Sequence, residues 1–257
     1  MGNLCGKQPK EEEDSIPKPR ILPCCHSEAV LGLVSAGDGL VLSGGNDKTV
    51  QLWDWTCGTI LERWTGHTSS VNRVAYTPQH ARYITASRDT TVKIWQGGSP
   101  AAVQELAGHS LNVSGLSLSY QHQHAWTGSR DYTVRVWDLN TAQQVRMNKI
   151  SRNVVTCMAA FPSEPAFLQT SEDLQVRVWD SRDLSVAQSF TGHVNIPLSC
   201  DVALDGIHML TCSHGFDGFG CEARLWDRRK GAALHVFEGH TESANACCFL
   251  QGKTGGG

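Results

Sequence analysis

Residues 108–138 read GHSLNVSGLSLSYQHQHAWTGSRDYTVRVWD, and this stretch decides the fold. Its last part, Val134-Arg135-Val136-Trp137, alternates apolar and polar residues, which is typical of a strand with one buried face. The residues before it, Ser129-Arg130-Asp131-Tyr132, read as a polar turn. No part of the sequence shows a sustained apolar stripe with the 3.6-residue period of a helix. The stretch therefore predicts short strands joined by tight turns.

The same pattern recurs along the chain at a nearly constant interval. The closing tryptophan has counterparts at steps of 42, 42, 42 and 47 residues, at Trp53, Trp95, Trp137, Trp179 and Trp226. The opening Gly-His pair recurs with its histidine at His67, His109, His193 and His240, and one pair is missing between the second and third of these. A period of ~40–45 residues with these two marks indicates the four-stranded blades of a β-propeller. We therefore expect one all-β repeat domain that starts near residue 21.

These residues resemble the WD-repeat (WD40) family of β-propellers over about residues 21–250. Five matched units make the resemblance specific, and residues 151–156, 169–173 and 212–227 also resemble one small member of the family. The predicted organisation is a disordered tail at 1–20, a candidate for acylation, then the propeller at 21–250 and a Gly-rich tail at 251–257.

The number of repeats predicts an incomplete ring. The family usually has about seven blades, which at this period need about 294 residues. The chain has five complete units and then enters a sixth at Gly239-His240, with a strand expected at 244–250. Residues 21–24 lie where the family places the outer strand of its closing blade. We expect an open arc with exposed strand edges, as in a truncated isoform or an incomplete gene model. A closed five-bladed ring is the alternative.

The resemblance implies that a hydrogen-bonded His, Ser or Thr, Asp and Trp hold each blade together. Position by position, three units supply complete sets, namely His26, Ser43, Asp47, Trp53; His67, Thr85, Asp89, Trp95; and His109, Thr127, Asp131, Trp137. An imidazole can link a buried Asp to a hydroxyl. Such sets also resemble a hydrolase triad, but a set that recurs in every blade favours a structural role. We therefore expect no catalytic residues.

Two units depart from this pattern. The fourth has Ile150-Ser151 at the Gly-His positions and Gln169 at the hydroxyl position, which leaves only Asp173 and Trp179. The fifth keeps His193, Thr211 and Trp226, has Gly215 at the Asp position, and contains five extra residues within 215–220. We expect both blades to be less rigid than the second and third. The extra loop, with Phe216 and Phe219, is either a tolerated insertion or a partner contact.

Composition narrows the function classes. A net charge of -3 and a pI near 6.4 argue against a nucleic-acid partner, which would need a basic surface. The polar N-terminus lacks a secretory signal and no apolar run reaches the ~20 residues that span a bilayer. The 10 cysteines lie mostly in apolar runs without zinc-site spacing, so we expect reduced structural thiols. We expect no metal, no cofactor and no small-molecule substrate.

The expected partners are proteins or peptides, bound on the top face and rim. The family points the residue before each turn Asp at the top face, and the loop residues named above join that set. The candidate contact residues are Asn46, Arg88, Arg130, Glu172, Arg152, Phe216 and Phe219. Arg88 and Arg130 can grip an acidic or phosphorylated peptide; the alternative is that they are ordinary solvated arginines.

The N-terminus, Met1-Gly2-Asn3-Leu4-Cys5-Gly6-Lys7, resembles an N-myristoylation signal. Gly2 would be acylated and Cys5 would carry a second chain, since stable attachment needs two. The strict signal has Ser or Thr where Gly6 stands, and a plain disordered tail is the alternative. We expect a cytoplasmic protein with membrane association, and the cilium is one candidate location.

Two functions follow from these features. The first is a non-enzymatic scaffold or adaptor, tethered by acylation, with a ciliary or trafficking role. The second is a substrate receptor of a cullin-type ubiquitin ligase, because two segments fit the Trp-Asp-x-Arg pattern of the family's ligase receptors. These segments are Trp179, Asp180, Arg182 and Trp226, Asp227, Arg229.

Overall fold

The alternating segments of each repeat are β-strands. The structure is a computed structural model that describes residues 26–119 and 124–250. The first sheet contains β1 (Val30–Ser35), β2 (Leu40–Gly45), β3 (Val50–Asp54) and β4 (Thr59–Trp64). The second contains β5 (Val71–Thr77), β6 (Arg82–Ser87), β7 (Val92–Gln96) and β8 (Gln104–Leu106). The third contains β9 (Val113–Ser119), β10 (His124–Ser129), β11 (Thr133–Asp138) and β12 (Gln144–Lys149).

The last two sheets repeat this plan. The fourth contains β13 (Val155–Ala160), β14 (Ala166–Ser171), β15 (Val176–Asp180) and β16 (Ser185–Phe190). The fifth contains β17 (Pro197–Val202), β18 (His208–Ser213), β19 (Ala223–Asp227) and β20 (Ala232–Phe237). Every sheet is an antiparallel meander in chain order. The predicted all-β fold of repeated four-stranded blades is confirmed.

The turn between the second and third strands has a fixed form in the first four sheets. The residue after the turn Asp takes a left-handed conformation, with φ of 68° at Lys48, 76° at Thr90, 69° at Tyr132 and 65° at Leu174. The Asp side chain accepts a hydrogen bond from the backbone two residues later, as at Asp131 Oδ1 and Thr133 N, 2.9 Å apart. This bond within the turn offsets the cost of the left-handed residue.

The core lies between neighbouring sheets. One cluster joins Ile84, Val92 and Ile94 of the second sheet to Leu116 and Trp137 of the third. Similar clusters join the first sheet to the second, the third to the fourth and the fourth to the fifth. Because both faces of the inner sheets pack on a neighbour, the tryptophans near the ends of their third strands are buried.

Side chains also join the innermost strands of neighbouring sheets. Asn72 Nδ2 donates to Val113 O at 2.9 Å and Thr156 Oγ1 donates to Pro197 O at 2.6 Å. Ser114 Oγ donates to Val155 O and so joins the third sheet to the fourth. Each bond spans 41 residues, so the second to fifth sheets are linked by one contact that repeats with the sequence. We call these three contacts the inner staples.

The ring is open, as the repeat count predicts. In the described residues, the first and fifth sheets do not pack against each other, whereas the innermost strands of consecutive sheets do. The free side of the first sheet therefore leaves apolar side chains in solvent, and Leu33 is 69% exposed.

The expected strand at 244–250 is wrong. These residues lie against the fifth sheet but form no strand, because the described residues provide no neighbouring strand to complete a ladder. The tails at 1–20 and 251–257, and residues 21–24, lie outside the described residues. Across 26–119 and 124–250, no helix has the length and apolar character needed to cross a membrane.

Candidate interaction face

A buried hydroxyl holds the centre of each of the first three sheets. In the third sheet, Thr127 Oγ1 lies 2.8 Å from His109 Nε2 and accepts a hydrogen bond from Trp137 Nε1 at 2.8 Å. His109 Nδ1 lies 2.9 Å from Asp131 Oδ2. The ionised carboxylate only accepts, so Nδ1 carries the proton and the hydroxyl donates to Nε2.

The second and first sheets have the same arrangement. His67 lies 2.7 Å from Thr85 and 2.8 Å from Asp89, and Trp95 donates to Thr85 at 2.9 Å. His26 lies 2.9 Å from both Ser43 and Asp47, and Trp53 donates to Ser43 at 3.2 Å. The structure thus brings all three complete sets together.

The charges of these sets are fixed by hydrogen bonds. Burial raises the pKa of each turn Asp, but bonds from the His, from a Thr and from the backbone outweigh it. The pKa of Asp47 falls to about 2, and the pKa values of Asp89 and Asp131 fall well below the usual range. Burial lowers the pKa of His109, against the opposing bond to Asp131. At neutral pH the His109–Asp131 pair is therefore a neutral imidazole beside a carboxylate.

This geometry does not suit a nucleophile. Thr85 and Thr127 are fully buried, and each hydroxyl is shared between an imidazole and an indole. A nucleophilic oxygen must reach a substrate carbonyl and be backed by donors for the developing charge. The sets act as cross-links inside a sheet.

The fourth sheet replaces the set with amides, which the sequence analysis missed. Gln169 Oε1 accepts from Trp179 Nε1 at 2.7 Å, and Gln169 Nε2 donates to Asn153 Oδ1 at 2.5 Å. Asn153 therefore takes the place of the histidine, two residues beyond Ser151. Arg177 Nη2 donates to Asp173 Oδ2 at 2.6 Å, so the turn Asp pairs with an arginine of β15. The repeat spacing does not identify Asn153, because it lies two residues beyond the histidine position.

The fifth sheet replaces the turn Asp with Glu222 from the far end of the inserted loop, not with Gly215. His193 Nε2 lies 2.6 Å from Thr211 Oγ1, which accepts from Trp226 at 2.8 Å. His193 Nδ1 lies 3.2 Å from Glu222 Oε1 but lacks hydrogen-bond geometry. Burial lowers the pKa of His193 to about 4, assisted by Arg224 and opposed by Glu222.

The candidate contact residues of the first four sheets occupy one equivalent position. The backbone N–H of Asn46, Arg88, Arg130 and Glu172 donates to the loop before the innermost strand, at 2.8, 2.9, 3.0 and 2.9 Å. These turns all lie at the same end of their sheets, which we call the upper face. His214 has the same bond in the fifth sheet, to Ile196 O at 2.8 Å. The repeat pattern does not identify His214, because Gly215 stands where an Asp marks the turn in the other sheets.

A basic groove runs across the upper face between the second and third sheets. It has a volume of about 590 Å³ and is lined by Arg88, Thr90, Ser110, Leu111, Asn112 and Arg130. Arg88 and Arg130 are both exposed. Arg130 Nη2 also lies 3.0 Å from Glu172 Oε1 of the fourth sheet. The groove therefore offers two guanidinium groups, hydroxyls and an amide to a ligand. The guanidinium of Arg130 already pairs with Glu172, which would compete with the ligand.

The inserted loop stands at the edge of the same face. Phe216 and Phe219 are 58% and 59% exposed and are joined by a backbone bridge, so the loop is a tight turn. Arg152 is exposed in the left-handed conformation, with φ of 65°. Both aromatic rings thus face solvent on a folded turn.

The two Trp-Asp-x-Arg segments lie at the opposite end of the sheets. Arg182 Nη2 lies 2.5 Å from Asp180 Oδ2, and Arg229 Nη2 lies 3.2 Å from Asp227 Oδ2. Both arginine side chains remain largely exposed, at 75% and 66%. Each arginine therefore folds back onto its own motif while it stays open to solvent.

The remaining candidate sites are for metal binding and for acylation. Within the described ranges, no group of three or more His, Cys, Asp or Glu side chains could hold a metal ion. Gly2 and Cys5, the candidate acylation sites, lie outside the described residues.

Known proteins share the first part of this pattern. The chain matches the family model "WD domain, G-beta repeat" at residues 19–54, 58–96 and 101–138. It is 31% identical over 99 residues to nuclear distribution protein PAC1 of Komagataella phaffii, covering 38% of this chain and 19% of that protein. It is 28% identical over 101 residues to nuclear distribution protein nudF of Aspergillus niger, covering 39% and 22%. The match thus spans about a fifth of each relative's length.

The family model matches the three repeats whose hydrogen-bonded sets are complete. Its last match ends at residue 138, before the sheets that use Asn153, Gln169 and Glu222. The closer likeness to one small family member stays a prediction.

Proposed function

Because the chain belongs to the WD40-repeat proteins, we propose that it is a non-enzymatic scaffold that binds protein segments on its upper face. WD40 propellers generally bind proteins, and five cross-linked sheets give a rigid support for side chains on the turns. The observation that carries the proposal is the basic groove. Arg88 and Arg130 flank about 590 Å³ of open volume, with hydroxyl groups between them.

The groove fits an acidic segment. A guanidinium binds a carboxylate or phosphate through two parallel hydrogen bonds, and Thr90, Ser110 and Asn112 supply further polar groups beside it. Glu172 neutralises part of Arg130 in the free protein, so a ligand must displace it. The side chain of Leu111 is 51% exposed and gives the groove an apolar contact.

The test is binding of a labelled acidic peptide, measured by fluorescence anisotropy at two salt concentrations. The double variant Arg88→Ala/Arg130→Ala is expected to weaken binding about tenfold or more, since each charged hydrogen bond contributes about 1.5–3 kcal/mol. Glu172→Gln is expected to strengthen it by freeing Arg130. Arg63→Ala is the matched control, because Arg63 is exposed on β4 away from the groove. If the unmodified protein and the three variants bind the acidic peptide with equal affinity, the groove is not its binding site. The same holds if the unmodified protein binds a basic peptide as tightly as the acidic one.

We further propose that the scaffold is cytoplasmic and tethered to a membrane by acylation of Gly2 and Cys5, with a ciliary or trafficking role. The support is the sequence of residues 1–7. Because one acyl chain gives only reversible attachment, both positions matter. Gly2→Ala is expected to release the protein from the membrane fraction of cells and Cys5→Ser to reduce its retention. An unchanged membrane-bound fraction in both variants would reject the acyl tether. It would not bear on the proposal that the groove binds an acidic segment.

The ligase receptor is the second candidate. Its support is the exposure of Arg182 and Arg229, both free to meet a partner at the lower end of the sheets. Replacing both by Ala is expected to abolish binding of the purified chain to the ligase's propeller adaptor. No binding by the unmodified chain, or binding that survives the double replacement, would reject this function.

A further inference from the structure

Residues 241–249, which we call the clasp, lie along the free side of the fifth sheet. Thr241 O accepts from Gly218 N at 3.0 Å, and Ala244 N donates to Ser213 O at 3.2 Å. Further along, Cys247 N donates to Ser199 Oγ at 3.4 Å and Phe249 N donates to Asp201 Oδ2 at 2.7 Å. The clasp thus covers one side of β17 and β18 without joining their ladder.

These bonds hold the clasp individually and not as a strand. A strand is stabilised by a continuous ladder of backbone hydrogen bonds. Two of the clasp's contacts instead run from a backbone N–H to a single side chain, and both lie near the surface. Segments held in this way open locally at low free energy. The clasp is therefore a detachable cover.

The clasp places two thiols together. Ser199 pairs with Cys212 across β17 and β18, so the bond from Cys247 N to Ser199 brings Cys247 beside Cys212. Cys247 Sγ lies 3.8 Å from Leu210 O, and Leu210 is two residues before Cys212 on β18. Cys212 is buried, Cys247 is half-buried, and its neighbour Cys248 is exposed.

A second thiol pair has a different setting. Cys157 of β13 and Cys200 of β17 are both buried in the core between the fourth and fifth sheets. Both of these thiols belong to sheets, whereas the Cys212–Cys247 pair joins a sheet to a segment outside it.

We propose that Cys212 and Cys247 form a reversible disulfide that locks the clasp onto the fifth sheet. A peroxide is the co-reactant. The Cys212 sulfur attacks one peroxide oxygen, the O–O bond breaks, and Cys212 becomes a sulfenic acid with release of one water. The Cys247 sulfur then attacks the Cys212 sulfur, the S–O bond breaks, and the second water leaves with the Cys247 proton. The two sulfurs lose two electrons and hydrogen peroxide is reduced to two waters.

The environment suits these roles. The neighbouring thiol of Cys247 lowers the pKa of Cys212, against its burial, which favours the thiolate needed for attack. The neighbouring thiol of Cys212, together with burial, raises the pKa of Cys247 and keeps it protonated until the second step. A small-molecule thiol reverses the reaction by exchange.

The test treats the purified chain with hydrogen peroxide and analyses non-reduced peptides by mass spectrometry. We expect a loss of about 2 Da, two hydrogens, and a peptide that joins Cys212 to Cys247. Hydrogen exchange across 241–249 is expected to slow about tenfold or more on oxidation and to recover with dithiothreitol. Cys247→Ser removes both effects, whereas the adjacent control Cys248→Ser keeps both.

Other outcomes overturn the proposal. A cross-link through Cys248 or Cys221, or oxidation of Cys212 without a cross-link, would show that the clasp does not present Cys247 to Cys212. Equal exchange rates before and after cross-linking would show that the clasp needs no lock. Because Cys247 and Cys248 both lie in the clasp and not in a sheet, the comparison between them does not depend on a variant of the folded core.

Discussion

At the scale of single residues, the first three sheets depend on the hydroxyl that lies between a histidine and a tryptophan. Thr127 Oγ1 donates to His109 and accepts from Trp137, and all three side chains are buried. Removing this oxygen leaves two buried nitrogens without a partner, and each costs about 1–3 kcal/mol. This oxygen is therefore a position at which one substitution breaks two buried hydrogen bonds.

Thr127→Val is therefore expected to lower the free energy of unfolding by about 2–4 kcal/mol. The variant keeps the side-chain shape, so the loss reports the hydrogen bonds. Thr127→Ser is the control: it keeps the hydroxyl, as Ser43 does in the first sheet, and is expected to cost about 1 kcal/mol for one buried methyl. Urea unfolding followed by tryptophan fluorescence measures both. Similar losses for Val and Ser would contradict this role.

His193 makes stability depend on pH. Its pKa is about 4 in the folded protein against an ordinary value of 6.5, so between these values only the unfolded chain takes up the proton. The free energy of unfolding is therefore expected to fall as the pH falls from about 6.5 to 4. His193→Gln is expected to flatten this slope in urea titrations, and the part due to His109, whose pKa is also lowered, remains. An unchanged slope in the variant would contradict the assignment.

At the scale of strands and sheets, the inner staples fix the position of neighbouring sheets relative to each other. Hydrophobic packing alone is not directional and would not fix it. Asn72, Ser114 and Thr156 each reach the first carbonyl of the next innermost strand. The equivalent position in the fifth sheet is Leu198, which has no side-chain donor. The staples therefore end at the fifth sheet, where the clasp begins to cover its free side.

Thr156→Val is expected to cost about 1 kcal/mol, because Pro197 O loses its bond from the side chain and Thr170 loses a hydroxyl partner. Thr156→Ser retains the hydroxyl and is expected to stay closer to the unmodified protein. Chemical denaturation of the two variants side by side measures the difference. If the Val variant is as stable as the unmodified protein and the Ser variant is destabilised, the staple contributes nothing and packing of the methyl group dominates.

At the scale of the whole molecule, the open ring leaves one free side on the first sheet and one on the fifth. The free side of the first sheet exposes Leu33, while the fifth sheet has the clasp as a cover. Arg73 counters the opening from within: its Nη2 donates to Thr156 O at 3.0 Å, which ties the second sheet to the fourth across the ring. The arc therefore has a hydrogen bond between its second and fourth sheets and an apolar surface on the free side of its first sheet.

This exposed end is expected to drive self-association. Leu33→Lys places a charge on the free side of β1 and is expected to shift the protein towards monomer in sedimentation velocity at high concentration. Leu204→Lys is the matched control, because Leu204 is 66% exposed in the loop between β17 and β18. A monomer for every protein, or an equal shift with Leu204→Lys, would show that the first sheet is not the association surface.

The sequence by itself determined the features that repeat with it. The interval of 42 residues and the two-residue alternation predicted the blades and the turns, because strand periodicity and turn chemistry act between near neighbours. The open ring was predicted from five complete units, compared with the seven blades that are usual in the family that the sequence resembles. The residues of the three complete sets were found because each keeps its spacing from the next.

Tertiary structure alone decided the rest. Asn153 and Glu222 replace a missing His and Asp from other positions in the chain, and Arg73 meets Thr156 from 83 residues away. The pairing of Cys212 with Cys247 depends on where the clasp lies, and no spacing in the sequence encodes it. These contacts arise because packing brings distant segments together, and any side chain with suitable length and polarity can then satisfy a buried partner.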